Sequence, residues 1–179
     1  MTKDSILKLI IVVLITVAAA AGLYYLSAEK PQQDKRKNGT DKVATSSKKQ
    51  VKLYYYNPKL DQDEQGNVLC SPKGLVGVDR KIDSTNTPIQ DTIKLLLKGE
   101  LTKEEKSQRI DTEYPLEGFK LVGANLENGQ LTLEFEDPNN ETSGGSCRAN
   151  ILWYQIRKTA KQFPQVDSVE YKPETLFQP

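Results

Sequence analysis

Residues 119–138, FKLVGANLENGQLTLEFEDP, decide the fold class. Asn128-Gly129 is the preferred dipeptide of a two-residue type I′ hairpin, whose central residues both take positive φ. After it, Leu131, Leu133 and Phe135 alternate with Thr132, Glu134 and Glu136, the pattern of a half-buried strand. Asp137-Pro138 ends that strand.

Toward the amino terminus, LVGVDRKI (residues 75–82) and VKLYYY (residues 51–56) read as strands, the latter stopped by Asn57-Pro58. Between them and the hairpin, Thr87-Pro88-Ile89-Gln90 predicts a helix start. Thr87 suits the cap, Pro88 the first turn, and Gln90 completes a capping box. Ile89, Ile93, Leu96 and Leu97 form its apolar face, and Gly99 ends it. On the carboxyl side, SGGSCRANILWYQIRKTAKQFPQV (residues 143–166) predicts a second helix capped by Ser143 or Ser146. Its apolar face is Ala149, Leu152, Ile156, Ala160 and Phe163, and Pro164 stops it. VDSVEY (residues 166–171) returns as a strand. The order β-β-α-β-β-α-β predicts an α+β domain, a two-layer sandwich with its helices on one face of a mixed sheet.

Two segments precede this body. Residues 9–26, LIIVVLITVAAAAGLYYL, carry no charge, and with Ser27 and Ala28 they match the ~30 Å of a bilayer core. We expect residues 1–28 to be a transmembrane signal anchor. The rival, a cleaved signal peptide, meets only a mediocre small-x-small site at Leu26-Ser27-Ala28 and stays open. Residues 29–50 lack aromatics and, apart from Val43, large apolar side chains, which predicts a disordered basic tether. Residues 51–179 form the expected extracytoplasmic domain. Long following domains translocate largely regardless of flanking charge.

Composition excludes several chemistries. Residues 51–179 hold 16 Lys/Arg against 20 Asp/Glu, so the body offers no electrostatic footprint for nucleic acid. The chain has no histidine, which removes Ser-His-Asp and Cys-His catalysis and histidine zinc sites. Two cysteines cannot close a zinc site or hold an iron–sulfur cluster. Asp61, Asp63, Gln65 and Gly66 imitate the opening of a calcium loop, but Pro72 stands where the bidentate glutamate belongs. We expect no metal and no small-molecule cofactor.

If the body is exported, the only two cysteines, Cys70 and Cys147, are expected to pair. The competing reading makes Cys147 a reactive low-pKa thiolate at a helix amino terminus. In LYYY, strand alternation turns Tyr55 away from Tyr54 and Tyr56, so one side or the other is a candidate partner-binding face. Arg80 is a candidate anion or partner contact, or else one half of a surface ion pair. Gln155 and Thr159, one helical turn apart, read as packing and hydrogen-bonding residues.

These pieces together resemble the GerMN domain family of sporulation and spore-germination proteins. LYYY is similar to the family's first strand, LVGVDRKI to its L-V-x-V-x-R strand, and TPIQDTIKLLLKGE to its first helix, with Glu100 where proline is usual. TEYPLEGFKLVGANLENGQLTLEF and QIRKTAKQFPQVDSVEY resemble the later motifs. After the last strand the family often turns at glycine, whereas YKPETLFQP is expected to run straight out, and we expect no immunoglobulin-like partner domain of the kind common in the family.

The resemblance implies a non-enzymatic, extracytoplasmic module with a fold similar to ring-building motifs. We expect it to sit on the cytoplasmic membrane and to bind an envelope protein or its own copy. The rival is a small peptidoglycan hydrolase using paired carboxylates among Asp83, Asp91, Glu104 and Glu105.

Overall fold

The computed structural model describes residues 47–179. The apolar segment and all but the last four residues of the expected tether lie outside the described residues. Among those described, no helix is long and apolar enough to cross a membrane.

The strands are β1 (Lys48–Tyr56), β2 (Leu75–Asp83), β3 (Lys120–Glu127), β4 (Gln130–Glu136) and β5 (Ser168–Lys172). The helices are α1 (Pro88–Leu96), α2 (Lys103–Ser107) and α3 (Ser146–Ala160). Residues 48–50, expected in the tether, therefore belong to β1. The class is α+β, with the strands divided between two sheets. β1 and β2 pair antiparallel, while β3 and β4 pair antiparallel and β5 joins β4 in parallel.

Side chains of the last helical segment give the physical reason for the division. Gln162 accepts from the Lys52 amide at 2.8 Å and donates to the Lys52 carbonyl at 2.7 Å, as a neighbouring strand would. Thr159 Oγ1 accepts from the Tyr54 amide at 3.0 Å. The edge of β1 opposite β2 is thus covered at Lys52 and Tyr54 by α3 and the turn after it, and at Tyr56 it bridges to Asp111. Thr159 and Gln155 are both fully buried, and Gln155 accepts from the Thr112 hydroxyl at 2.8 Å.

The hairpin forms as its sequence dictates, with Asn128 at φ 48° and Gly129 at φ 81°. One irregularity breaks the pairing: the register shifts between Leu121 and Gly123, which leaves Val122 unpaired and 47% exposed. The predicted apolar face of α3 is buried at Ala149, Leu152, Ile156 and Ala160, with Phe163 just beyond. In α1, Ile93 and Leu96 are fully buried, and the chain leaves at Gly99 with φ 64°.

The capping expectations need correction. Thr87 makes no cap to α1; its hydroxyl and that of Thr85 bond the Asp91 carboxylate instead. The complete capping box lies at α2, where Thr102 Oγ1 accepts from the Glu105 amide and Glu105 accepts from the Thr102 amide. Neither Ser143 nor Ser146 caps α3, because Gly145 occupies the cap position at φ 92°.

The carboxyl-terminal tail does not run out from β5. It folds back, and Leu176 enters the core at 7% exposure.

Candidate functional site

The loop between β1 and β2 carries a dense set of side-chain hydrogen bonds. It begins with Asn57, whose side chain caps the turn Pro58–Leu60 and also donates to the Gln108 carbonyl at 2.8 Å. It ends with Ser71, which caps the turn Pro72–Gly74.

Asp61 braces this loop from inside. At 1% exposure its carboxylate accepts from the Tyr56 hydroxyl at 2.5 Å, the Ser71 amide at 2.5 Å and the Ser71 hydroxyl at 2.6 Å. Burial pushes the Asp61 carboxyl up, but the hydrogen bonds from Ser71 and Tyr56 outweigh it and hold the group below its ordinary value. Burial, reinforced by Asp61, pushes the Tyr56 phenol well above its ordinary value.

A disulfide braces the loop from outside. Cys70 is bonded to Cys147 near the start of α3, with the Cα atoms 5.2 Å apart and a sequence separation of 77. Gly144 at φ 130° and Gly145 at φ 92° let the backbone reach this point, since both conformations are costly for residues with a Cβ. Bonded in this way, Cys147 offers no thiolate.

Between the two braces, Val68 bridges to Gln62, and the Leu69 amide donates to the Asp61 carbonyl at 2.9 Å. Asp63 accepts from the Gln65 and Asn67 amides and from Asn67 Nδ2. The two aspartates of the calcium-like pattern therefore hold the loop's own donors. Among the described residues no group of three or more metal-ligating side chains converges. Among the polar side chains that the braced loop presents outward stand three large apolar ones: Leu60, Leu69 and Val68 are 59%, 52% and 40% exposed. Sequence reading passed over them as part of an acidic loop. The available signal was three large apolar residues inside a polar segment that ends at a cysteine.

The two candidate partner contacts lie elsewhere: the structure buries Tyr55 and gives Arg80 the ion pair that was its alternative reading. Tyr55 is completely buried, its hydroxyl directed at the Leu96 carbonyl at 3.5 Å, because β1 turns Val51, Leu53 and Tyr55 into the core. That burial, partly offset by Arg80, pushes its phenol up to about 12. Tyr56 is buried too, at 4%, since its ring packs over Gly74 where the strand ends. Arg80 forms a two-armed pair with Glu105, both contacts 2.7 Å, and donates to the Glu100 and Asp79 carbonyls. Its guanidinium is engaged inside the molecule and is no anion site. The bond to Arg80 holds Glu105 below the usual carboxylate range, so one glutamate serves both the α2 cap and this pair.

A family model described as Germane, sporulation and spore germination, matches residues 52–171. The chain belongs to the Germane family. It therefore carries a sporulation-related domain of the GerMN type. Among solved structures, it is similar to the tandem GerMN domains of the sporulation protein GerM from Bacillus subtilis, at 21% identity and a TM-score of 0.49. That match covers 77% of this chain and 43% of the other, so the chain spans less than half of the tandem structure. A chain described as a lipoprotein from Clostridium perfringens matches at 14% identity and a TM-score of 0.37, covering 73% of this chain and 78% of that one. No curated protein matches.

Proposed function

We propose that this Germane domain is a non-catalytic binding and assembly module, held outside the cytoplasmic membrane by the apolar segment of residues 9–26. It contacts an envelope protein, or a second copy of itself, through the loop of residues 57–74. The observation that carries this reading is the exposure of Leu60, Val68 and Leu69 on a loop braced by Asp61 and by the Cys70–Cys147 bond. Burying an aliphatic side chain contributes roughly 1.5–3 kcal/mol, and a loop ordered before binding loses little entropy on docking. Membership of a sporulation and germination family supports the envelope setting.

The test is photocrosslinking from position 69 in intact membranes, followed by identification of the product. The expected result is a discrete adduct that disappears when Leu60→Asp and Val68→Asp are combined. A parallel arm incubates the protein with peptidoglycan. Cleavage lost on changing Asp83, Asp91, Glu104 or Glu105 alone would replace this reading with the hydrolase. Protease added to protoplasts is expected to remove the body while leaving the apolar segment in the membrane.

A further inference from the structure

The tail beyond the family match builds a feature of its own. The Phe177 ring lies edge-on to Tyr171 at 5.2 Å and 71°, and edge-on to Phe119 at 6.0 Å and 85°. Phe177 takes φ 58°, a left-handed conformation that bulky residues avoid, and its amide donates to Thr142 Oγ1 at 3.2 Å. By this return the tail closes a cleft of about 430 Å³ against Trp153 of α3 and Tyr171 of β5.

Two polar groups of the cleft wall are engaged, the Gln178 amide with the Glu174 and Leu176 carbonyls and the Tyr171 hydroxyl with the Trp153 carbonyl, and four are not. The side chains of Asn150, Glu170, Lys172 and Glu174 line it, and none makes a hydrogen bond or ion pair with a described residue. A carboxylate only accepts, an ammonium only donates, and an amide does both. A simple anion would face Glu170 and Glu174. A simple cation would face Lys172. A neutral ligand whose every hydroxyl both donates and accepts, and which has an apolar C–H face to lie on an aromatic ring, matches all these groups together. A sugar ring is such a ligand.

We propose that this cleft binds a pyranose unit of a glycan chain, with the aromatic side chains as its floor and Asn150, Glu170 and Lys172 as its hydroxyl partners. The proposal deepens the binding-module reading, on which it rests, by naming a ligand class. It uses a face built by residues 172–178 rather than the apolar loop.

Trp153 is the only tryptophan in the chain, so intrinsic emission reports directly from this cleft. The experiment titrates the full chain, in a detergent without a sugar headgroup, with chitotetraose and with maltotetraose. At least one is expected to shift the emission with a dissociation constant below about 1 mM. Asn150→Ala and Lys172→Ala change exposed side chains, and each is expected to weaken that binding about fivefold, the loss of one hydrogen bond. Circular dichroism confirms that both variants fold. No emission change with either sugar overturns the proposal, as does binding equally strong in the two variants. Neither result touches the crosslink from position 69, so the two readings fail separately.

Discussion

The Tyr56 hydroxyl donates to Asp61 Oδ2 at 2.5 Å, and both side chains are buried where β1 gives way to its loop. Asp61 also accepts twice from Ser71, so its removal leaves three donors without a partner. Asp61→Ala is expected to cost about 3 kcal/mol, because unsatisfied buried donors lose their full solvation. Urea unfolding measures this. A loss below about 0.5 kcal/mol would show that water replaces the carboxylate freely.

Acid pH tests the same carboxylate. Asp61 and Glu105 both sit below their ordinary values when the protein is folded. Their contribution to stability is complete above the unfolded carboxylate range, near pH 4, and is lost as pH falls through the lowered folded values. The melting temperature is expected to drop steeply below about pH 4, and Asp61→Asn is expected to flatten that drop.

Alkaline pH tests the buried tyrosines. Tyr55 is raised to about 12 by burial, and Tyr114 is raised by burial as well. A raised folded value means the stabilisation is complete below the unfolded tyrosine value of about 10 and is lost as pH rises toward 12. Tyrosinate absorbance from the buried phenols is expected to appear only with unfolding. A single transition near pH 10 would contradict the burial of Tyr55.

The Cys70–Cys147 bond closes a loop of 77 residues in sequence. The chain-entropy model gives roughly 4.5 kcal/mol for such a closure, an upper figure. Reduction, or Cys70→Ser with Cys147→Ser, is expected to lower stability by 2–4 kcal/mol, at about the typical size of this effect. Two titratable thiols in unreduced protein from an oxidising compartment would refute the bond.

Gln162 closes the edge of β1 by pairing both backbone groups of Lys52. Gln162→Ala is expected to cost about 1 kcal/mol and to speed hydrogen exchange at the Lys52 amide while amides of β4 stay protected. The freed edge is also expected to promote self-association at high concentration, seen by light scattering.

The local signals were legible because they depend on neighbours in sequence. Asn128-Gly129 fixes the hairpin through its own positive φ angles, and the 3.6-residue spacing of Leu152, Ile156 and Ala160 fixes the buried face of α3. Counting named Cys70 and Cys147 as a pair on the condition that the body is exported. The sequence also determined what the body lacks, since no fold can supply a histidine. Tertiary structure decided the rest, because it joins groups far apart in the chain. Gln162 lies 110 residues from Lys52 in β1, whose edge it covers, and the strands form two sheets rather than one. Arg80 and Glu105, 25 residues apart, turn a candidate anion site into an internal pair. Alternation could say that Tyr55 faces away from its neighbours, but only the packing of α1 shows that its side is the core. The same holds for the tail: residues 172–178 carry no periodic signal, and their return over Tyr171 follows from aromatic contacts made only once β5 and α3 are in place.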